Sequence, residues 1–94
     1  MYEIHFSKRF RKDHKKLLRS GSYDDAVLMF IIQELSEGRK LNQKYRDHDL
    51  TGNMVGYREC HLSSDLLLVY KIVESIKRVA LTRIGSHSEA LRLQ

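Results

Sequence analysis

The opening residues, "YEIHF" at 2–6, alternate polar and apolar and run into Ser7, a residue suited to capping a helix. This predicts a short strand followed by a helix over about 8–19, with Phe10, His14, Leu17 and Leu18 on one face. "RSGS" breaks that helix, and "SYDD" opens a second, for which Ser22 is the expected cap and Asp25 the third-position acid of a capping-box variant. Val27, Phe30, Ile31 and Leu35, flanked by Ala26 and Ile32, form a broad apolar stripe, so the second helix should run to about Glu37 and stop at Gly38. Residues 39–52 are polar and turn-rich. Three strand-like stretches follow, at 54–62, 65–73 and 76–84, joined by the short connectors "SS" and "ES", which imply antiparallel neighbours.

That order, strand, two helices, then a three-strand meander with a short C-terminal segment, predicts a single α+β domain over residues 1–94. A small antiparallel sheet of about four strands would carry both helices on one face. The other face is left to carry chemistry. A chain of this length buries only roughly 60–65% of its unfolded surface, so a modest core is expected.

Charge changes the picture next. Of 17 basic residues seven lie in the first 20 positions, against two of the 12 acidic ones, and this stretch supplies the whole net charge of +5. Cations run along the first helix, Lys8, Arg9, Arg11, Lys12, Lys15 and Lys16, and the first two sit in its opening turn, where they oppose its dipole. An anionic partner, nucleic acid above all, is the reading of such a surface; a solvated helix face is the bland one. The longest apolar run, Leu66 to Tyr70, suits one buried strand and is too short for a membrane span. The amino terminus shows neither an apolar stretch nor a small-residue cleavage site, and one cysteine, Cys60, cannot form an internal disulfide. A cytoplasmic protein with no membrane partner is expected.

Strand parity decides which polar groups can act together. Tyr57, Glu59 and His61 project to one face, while Arg58, Cys60 and Leu62 point to the other. Arg83 on the last strand is assigned to the Glu59 face, although Val79 and Leu81, core-like residues, share its parity. His87 follows the strand just past a glycine. The paired short spacings of zinc sites are absent, so no metal or other cofactor is expected, and Cys60 reads as a small apolar core residue. His5 and His14 read as structural or surface residues. Histidines beside carboxylates and arginine suit RNA phosphodiester cleavage, in which a base removes the ribose 2′ proton and an acid protonates the leaving 5′ oxygen.

"KYRDHDLTGNMVGYRECHLSSDLLLVYKI" followed by "LTRIGSHSEAL" resembles the signature half of the YafQ branch of the RelE/ParE-type bacterial type II toxins. The motifs lie within residues 44–91, and length and element order are similar over the whole chain. The resemblance implies a RelE-like fold and a ribosome-dependent mRNA interferase, an endoribonuclease that needs no cofactor. His48, Glu59, His61, Asp65 and His87 fall on the family's site positions, with Arg83 and Lys44 set against the phosphate. Two positions depart from it: Glu59 stands where relatives carry aspartate, and Leu91 where an aromatic base-stacking residue is found in some. The implied partners are translated mRNA on the ribosome, ribosomal RNA for the basic helix, a cognate antitoxin protein, and promoter DNA through that antitoxin. Two alternatives stand beside this reading: a ParE-like gyrase inhibitor, and a non-catalytic nucleic-acid-binding module.

Overall fold

The computed structural model describes residues 1–91. Strand β1 (Glu3–Phe6) leads into helices α1 (Lys8–Arg19) and α2 (Asp25–Ser36). The short strand β2 (His48–Asp49), the meander β3 (Arg58–Ser63), β4 (Leu66–Val73) and β5 (Arg78–Gly85), and the short helix α3 (His87–Ala90) follow. The sheet order is β1-β5-β4-β3-β2. The α+β class is as expected, with two refinements. A fifth strand, β2, adds to the edge, and β1 lies parallel to β5, so the sheet is mixed. The two helices carry the chain over one face to β2 at the far edge, and the β3–β4–β5 meander returns it beside its own first strand.

Local chemistry sets the boundaries. Ser7 caps α1 as expected, its Oγ accepting from Phe10 N at 3.0 Å. For α2 the cap is Asp24, whose Oδ1 accepts from Ala26 N at 3.0 Å, rather than Ser22. Asp25 is thereby the first helical residue and turns to other partners. The second helix buries Leu28, Ile31 and Leu35, while Phe30 is half exposed, so its inner stripe is rotated from the expected one. Gly38, at φ +71°, ends the element with the Tyr2 ring close against it, a position that a Cβ would crowd. Strand β3 starts at Arg58 rather than 54, because Gly52–Met54 form a 3-10 turn and Gly56 takes φ +96°. Likewise β5 begins only after a 3-10 turn at Glu74–Ile76 and left-handed Lys77.

The sheet separates two apolar layers. On the helix side Phe10, Leu28, Ile31, Leu35, Cys60, Leu68, Tyr70, Val79, Leu81 and Ile84 form the main core. On the other side Leu67, Val69 and Ala90 form a smaller one, flanked by Leu50, Met54, Tyr57 and Leu91. That face is therefore partly covered by α3 and otherwise open. The β4–β5 register skips from Tyr70 opposite Leu81 to Val69 opposite Arg83, a bulge that inserts Thr82. Leu81 faces the main core, and beyond the bulge Arg83 shares a face with Val69.

Helices α1 and α2 are joined by a polar clasp in which His14 Nε2 lies 2.7 Å from Asp25 Oδ1, and Tyr23 donates to the same oxygen at 2.9 Å. The His14 bond, ahead of that from Tyr23, holds the Asp25 carboxyl below its usual 3.8. A lowered native pKa stabilises the fold above the unfolded value and ceases to do so as the acid protonates in the folded state. Asp25→Asn is therefore expected to lower the urea midpoint above about pH 5. The difference from the parent should shrink as pH falls below 3.8, as chemical denaturation across a pH series would read.

Candidate functional site

The open sheet face is built around β3. Its edge partner β2 sets His48 directly opposite Glu59, and strand alternation brings His61 to the same face two residues on. Both imidazoles approach one carboxylate oxygen: His48 Nε2 and His61 Nε2 are each 3.3 Å from Glu59 Oε1. Their ring centroids are 6.4 Å apart, at 29°. His48 Nδ1 donates to the Arg46 carbonyl at 2.6 Å, and because a carbonyl only accepts, this bond places a proton on Nδ1. Nε2 then bonds favourably to the carboxylate when the ring carries both protons.

Burial is graded across the group. The Glu59 side chain is 6% exposed, His61 18% and His48 50%. Glu59 Oε2 is buried with no hydrogen-bond partner among the described residues. A buried carboxylate with one oxygen unsatisfied costs stability, which marks Glu59 as present for something other than folding.

The remaining sequence-predicted residues take three kinds of position. Arg83 is buried and paired with Asp13 of α1, Nε to Oδ2 at 2.6 Å and Nη2 to Oδ1 at 3.1 Å. Asp13 Oδ2 also accepts from Ile84 N at 3.1 Å, so this one carboxylate covers the β5 edge left open beyond β1. His87 is exposed at the start of α3, which a reciprocal capping box between Ser86 and Glu89 holds. His61 pairs with Leu67, and Leu67 with Gly85. Two strand spacings, about 10 Å, thus separate the His61 backbone from the residue that precedes the α3 cap. Ala90 packs on Leu67 and Val69, so α3 sits on the His61 face. Among the described residues His87 makes no hydrogen bond or ion pair with the His48–Glu59–His61 group. Asp65 is exposed in the β3–β4 turn and is likewise not joined to it.

Lys44, exposed, stands over the Tyr45 ring with Nζ 5.2 Å from its centroid. Together with Val27, Arg46, His61, Ser63 and Ser64 these two residues line an open groove of about 430 Å³. Leu91 packs in the small apolar layer. On α1, Lys8, Arg9, Arg11, Lys12, Lys15 and Lys16 are all exposed. Arg9, Lys12, Lys15, Lys16 and Arg19 border a second groove of about 540 Å³. Arg11 folds back, donating to the Phe6 carbonyl at 3.2 Å, and Lys16 reaches Glu89 at 3.6 Å. Through Asp13–Arg83 and Lys16–Glu89 the basic helix is tied to the open face. Cys60 lies in the main core as expected, where burial pushes its thiol up.

Sequence reasoning missed Asp13, Arg46 and the partners of the "DHD" segment. Asp47 and Asp49 alternate with His48, and that alternation was the available signal. Among the described residues no group of three or more His, Cys, Asp or Glu is arranged to hold a metal ion, and no helix is long and apolar enough to cross a membrane.

Comparison with known proteins agrees with this architecture. A family described as bacterial toxin of type II toxin-antitoxin system, YafQ, matches residues 2–92. The mRNA interferase toxin YafQ of Escherichia coli K12 is 31% identical over 87 residues, which cover 92% of this chain and 91% of that protein. A metal-bound toxin from Helicobacter pylori, known as a crystal structure, is 43% identical with a TM-score of 0.87 over 95% of this chain and 98% of that one. The E. coli DinJ-YafQ complex contributes a chain 29% identical, TM-score 0.82, over 98% of this chain and 100% of that one.

Because the Glu59 carboxylate is buried with one oxygen unmet, Glu59→Gln should fold at least as stably as the parent. Removing the desolvated charge should show as a urea midpoint at neutral pH no lower than the parent's.

Proposed function

The chain belongs to the YafQ family of bacterial type II toxins, and from that premise we propose that it is an endoribonuclease cutting translated mRNA on the ribosome. The observation that carries this reading is the pair of imidazoles, His48 and His61, meeting the buried Glu59 on the sheet face that α1 and α2 leave uncovered.

In this reading the target strand crosses the face between β3 and α3. One histidine takes the ribose 2′ proton, O2′ attacks phosphorus, and the other histidine protonates the departing 5′ oxygen. His61 and His87 divide these roles, with a backbone separation across β4 that suits groups acting from opposite sides of a phosphate. His48 orients or substitutes within the network, Asp65 would join it only by reaching bound RNA from the β3–β4 turn, and Glu59, a methylene longer than aspartate, holds the imidazoles rather than moving a proton. Arg83, its charge shared with Asp13, and Lys44 oppose the charge that builds on the phosphate. Each acid or base contributes on the order of a hundredfold to ten-thousandfold, and cationic stabilisation a comparable factor. Imidazoles supply both proton transfers, so no step calls for a metal.

The exposed cations of α1 face ribosomal RNA phosphates, giving binding that weakens steeply with salt and carries no sequence choice. The E. coli relative is found in complex with DinJ; by the same logic this chain has a cognate antitoxin, and promoter DNA is reached through it. A partly disordered acidic segment would complement the basic surface.

Purified protein incubated with translating ribosomes, followed by mapping of mRNA ends, should show cuts confined to translated message. His61→Ala and His87→Ala should each abolish cutting while retaining the parent circular dichroism. A 2′-deoxy nucleotide at the target position should block it. Breaks in DNA with gyrase instead, or no cutting of any message, would overturn the reading. The metal in the Helicobacter relative is addressed by one further arm: cutting should persist with a chelator selective for transition metals that leaves ribosomal magnesium in place.

A further inference from the structure

The imidazole of His48 is carried by a segment that its backbone holds only weakly. Strand β2 is two residues long, lies at the sheet edge, and follows Arg46 in the left-handed region at φ +51°. Side chains supply the missing hold. Asp47 and Asp49 flank His48, and alternation along an extended segment sends both to the opposite side of the strand. There they meet a single guanidinium. Arg58 donates from Nη2 to Asp47 Oδ2 at 2.9 Å, from Nε to Asp47 Oδ1 at 3.3 Å, and from Nη1 to Asp49 Oδ1 at 2.5 Å. The Tyr70 hydroxyl donates a short hydrogen bond to Asp47 Oδ1.

These partners are placed by the sheet itself. Arg58 is opposite Asp49 on β2 and opposite Tyr70 on β4, and it precedes Glu59 on β3. One dipeptide, Arg58-Glu59, therefore grips the edge segment from both faces: Arg58 through the two aspartates, Glu59 through His48. The Asp47 bond raises the Arg58 pKa further, and burial followed by Asp47 raises that of Tyr70, so both remain donors. The Asp47–Arg58 contact is bidentate and only partly exposed, the geometry in which such a pair specifies position best. Asp49 is mostly exposed and adds less.

We propose that Asp47, Arg58 and Tyr70 form a positioning clamp that sets the place and tautomer of His48. The chain of cause is short. Fixing Asp47 fixes the Arg46–Asp47 peptide, whose carbonyl accepts the Nδ1 proton of His48; with Nδ1 committed, Nε2 is turned to Glu59. None of the three clamp residues touches the open face. For its effect on cleavage this inference rests on the ribonuclease reading; for its effect on the His48 ring it does not.

The test uses the full chain. Ring-nitrogen NMR, read above the pH at which the imidazole loses its second proton, should show the Nδ1-protonated tautomer at His48. Asp47→Asn should move His48 toward the Nε2-protonated form that free imidazoles favour, and Tyr70→Phe, which keeps the ring in the core, should move it part of the way. Tyr2→Phe, which removes a hydroxyl bonded to Glu74 elsewhere on the sheet, should leave the His48 signals alone. Cutting of translated mRNA by Asp47→Asn should fall roughly tenfold to a hundredfold, the scale of a misplaced reacting group. A folded Asp47→Asn with unchanged His48 signals overturns the clamp, and if that variant fails to fold, unchanged signals in Tyr70→Phe do so. A moved tautomer with parental cutting removes the clamp from the reaction. If the parent cuts no message the nuclease reading fails, while the NMR arm still decides the clamp.

Discussion

The Glu59 carboxylate is the group around which the open face is organised. A carboxylate taken out of water must be met by donors or cations, and here two imidazoles converge on one of its oxygens. That requirement reaches outward. It needs β2 at the edge to deliver His48, the β3 register to deliver His61, and a face that α1 and α2 leave uncovered so that the rings remain reachable. The stability given up at Glu59 is offset on the far side of the same sheet, where α1 and α2 bury Phe10, Leu28, Ile31 and Leu35 against β3–β5.

Division of labour between the two faces depends on parity, and parity is not uniform. Up to Leu81 the odd residues of β5 serve the helix-side core; the Thr82 bulge then passes Arg83 to the other side. Bulges are common where a strand must re-aim a side chain. Were Thr82 a regular strand residue rather than the bulged one, Arg83 would project into the layer that holds Val79 and Leu81, and Asp13 would lose its partner across the sheet edge.

Much of this was legible in the chain. The Ser7 cap, both long helices, the meander, and the shared face of Glu59 and His61 follow from spacing alone, because each depends on residues within one element. What escaped depends on residues distant in sequence. Strand β2 is too short for any period and is held at the edge by its pairing with Glu59 and Arg58. The bulge is a mismatch between two strands, so neither strand shows it alone, although the conflict between Arg83 and its core-like neighbours was visible. Asp24 displaced Ser22 as the cap once Asp25 was engaged by His14 and Tyr23. The parallel β1–β5 pairing leaves no local trace, since connector length informs only about neighbours in sequence.

That parallel pairing also orders events during synthesis. The first strand finds its partner only in the last one, through backbone bonds such as Glu3 N to the Lys77 carbonyl and Ser7 N to the Leu81 carbonyl. Contacts so far apart along the chain form late, after loop closure across most of its length. Until β5 is made, α1 lacks the surface beneath it and Asp13 has no Arg83 to meet. Closure of the sheet therefore waits for β5, and with it the Asp13–Arg83 bond that ties α1 to the open face.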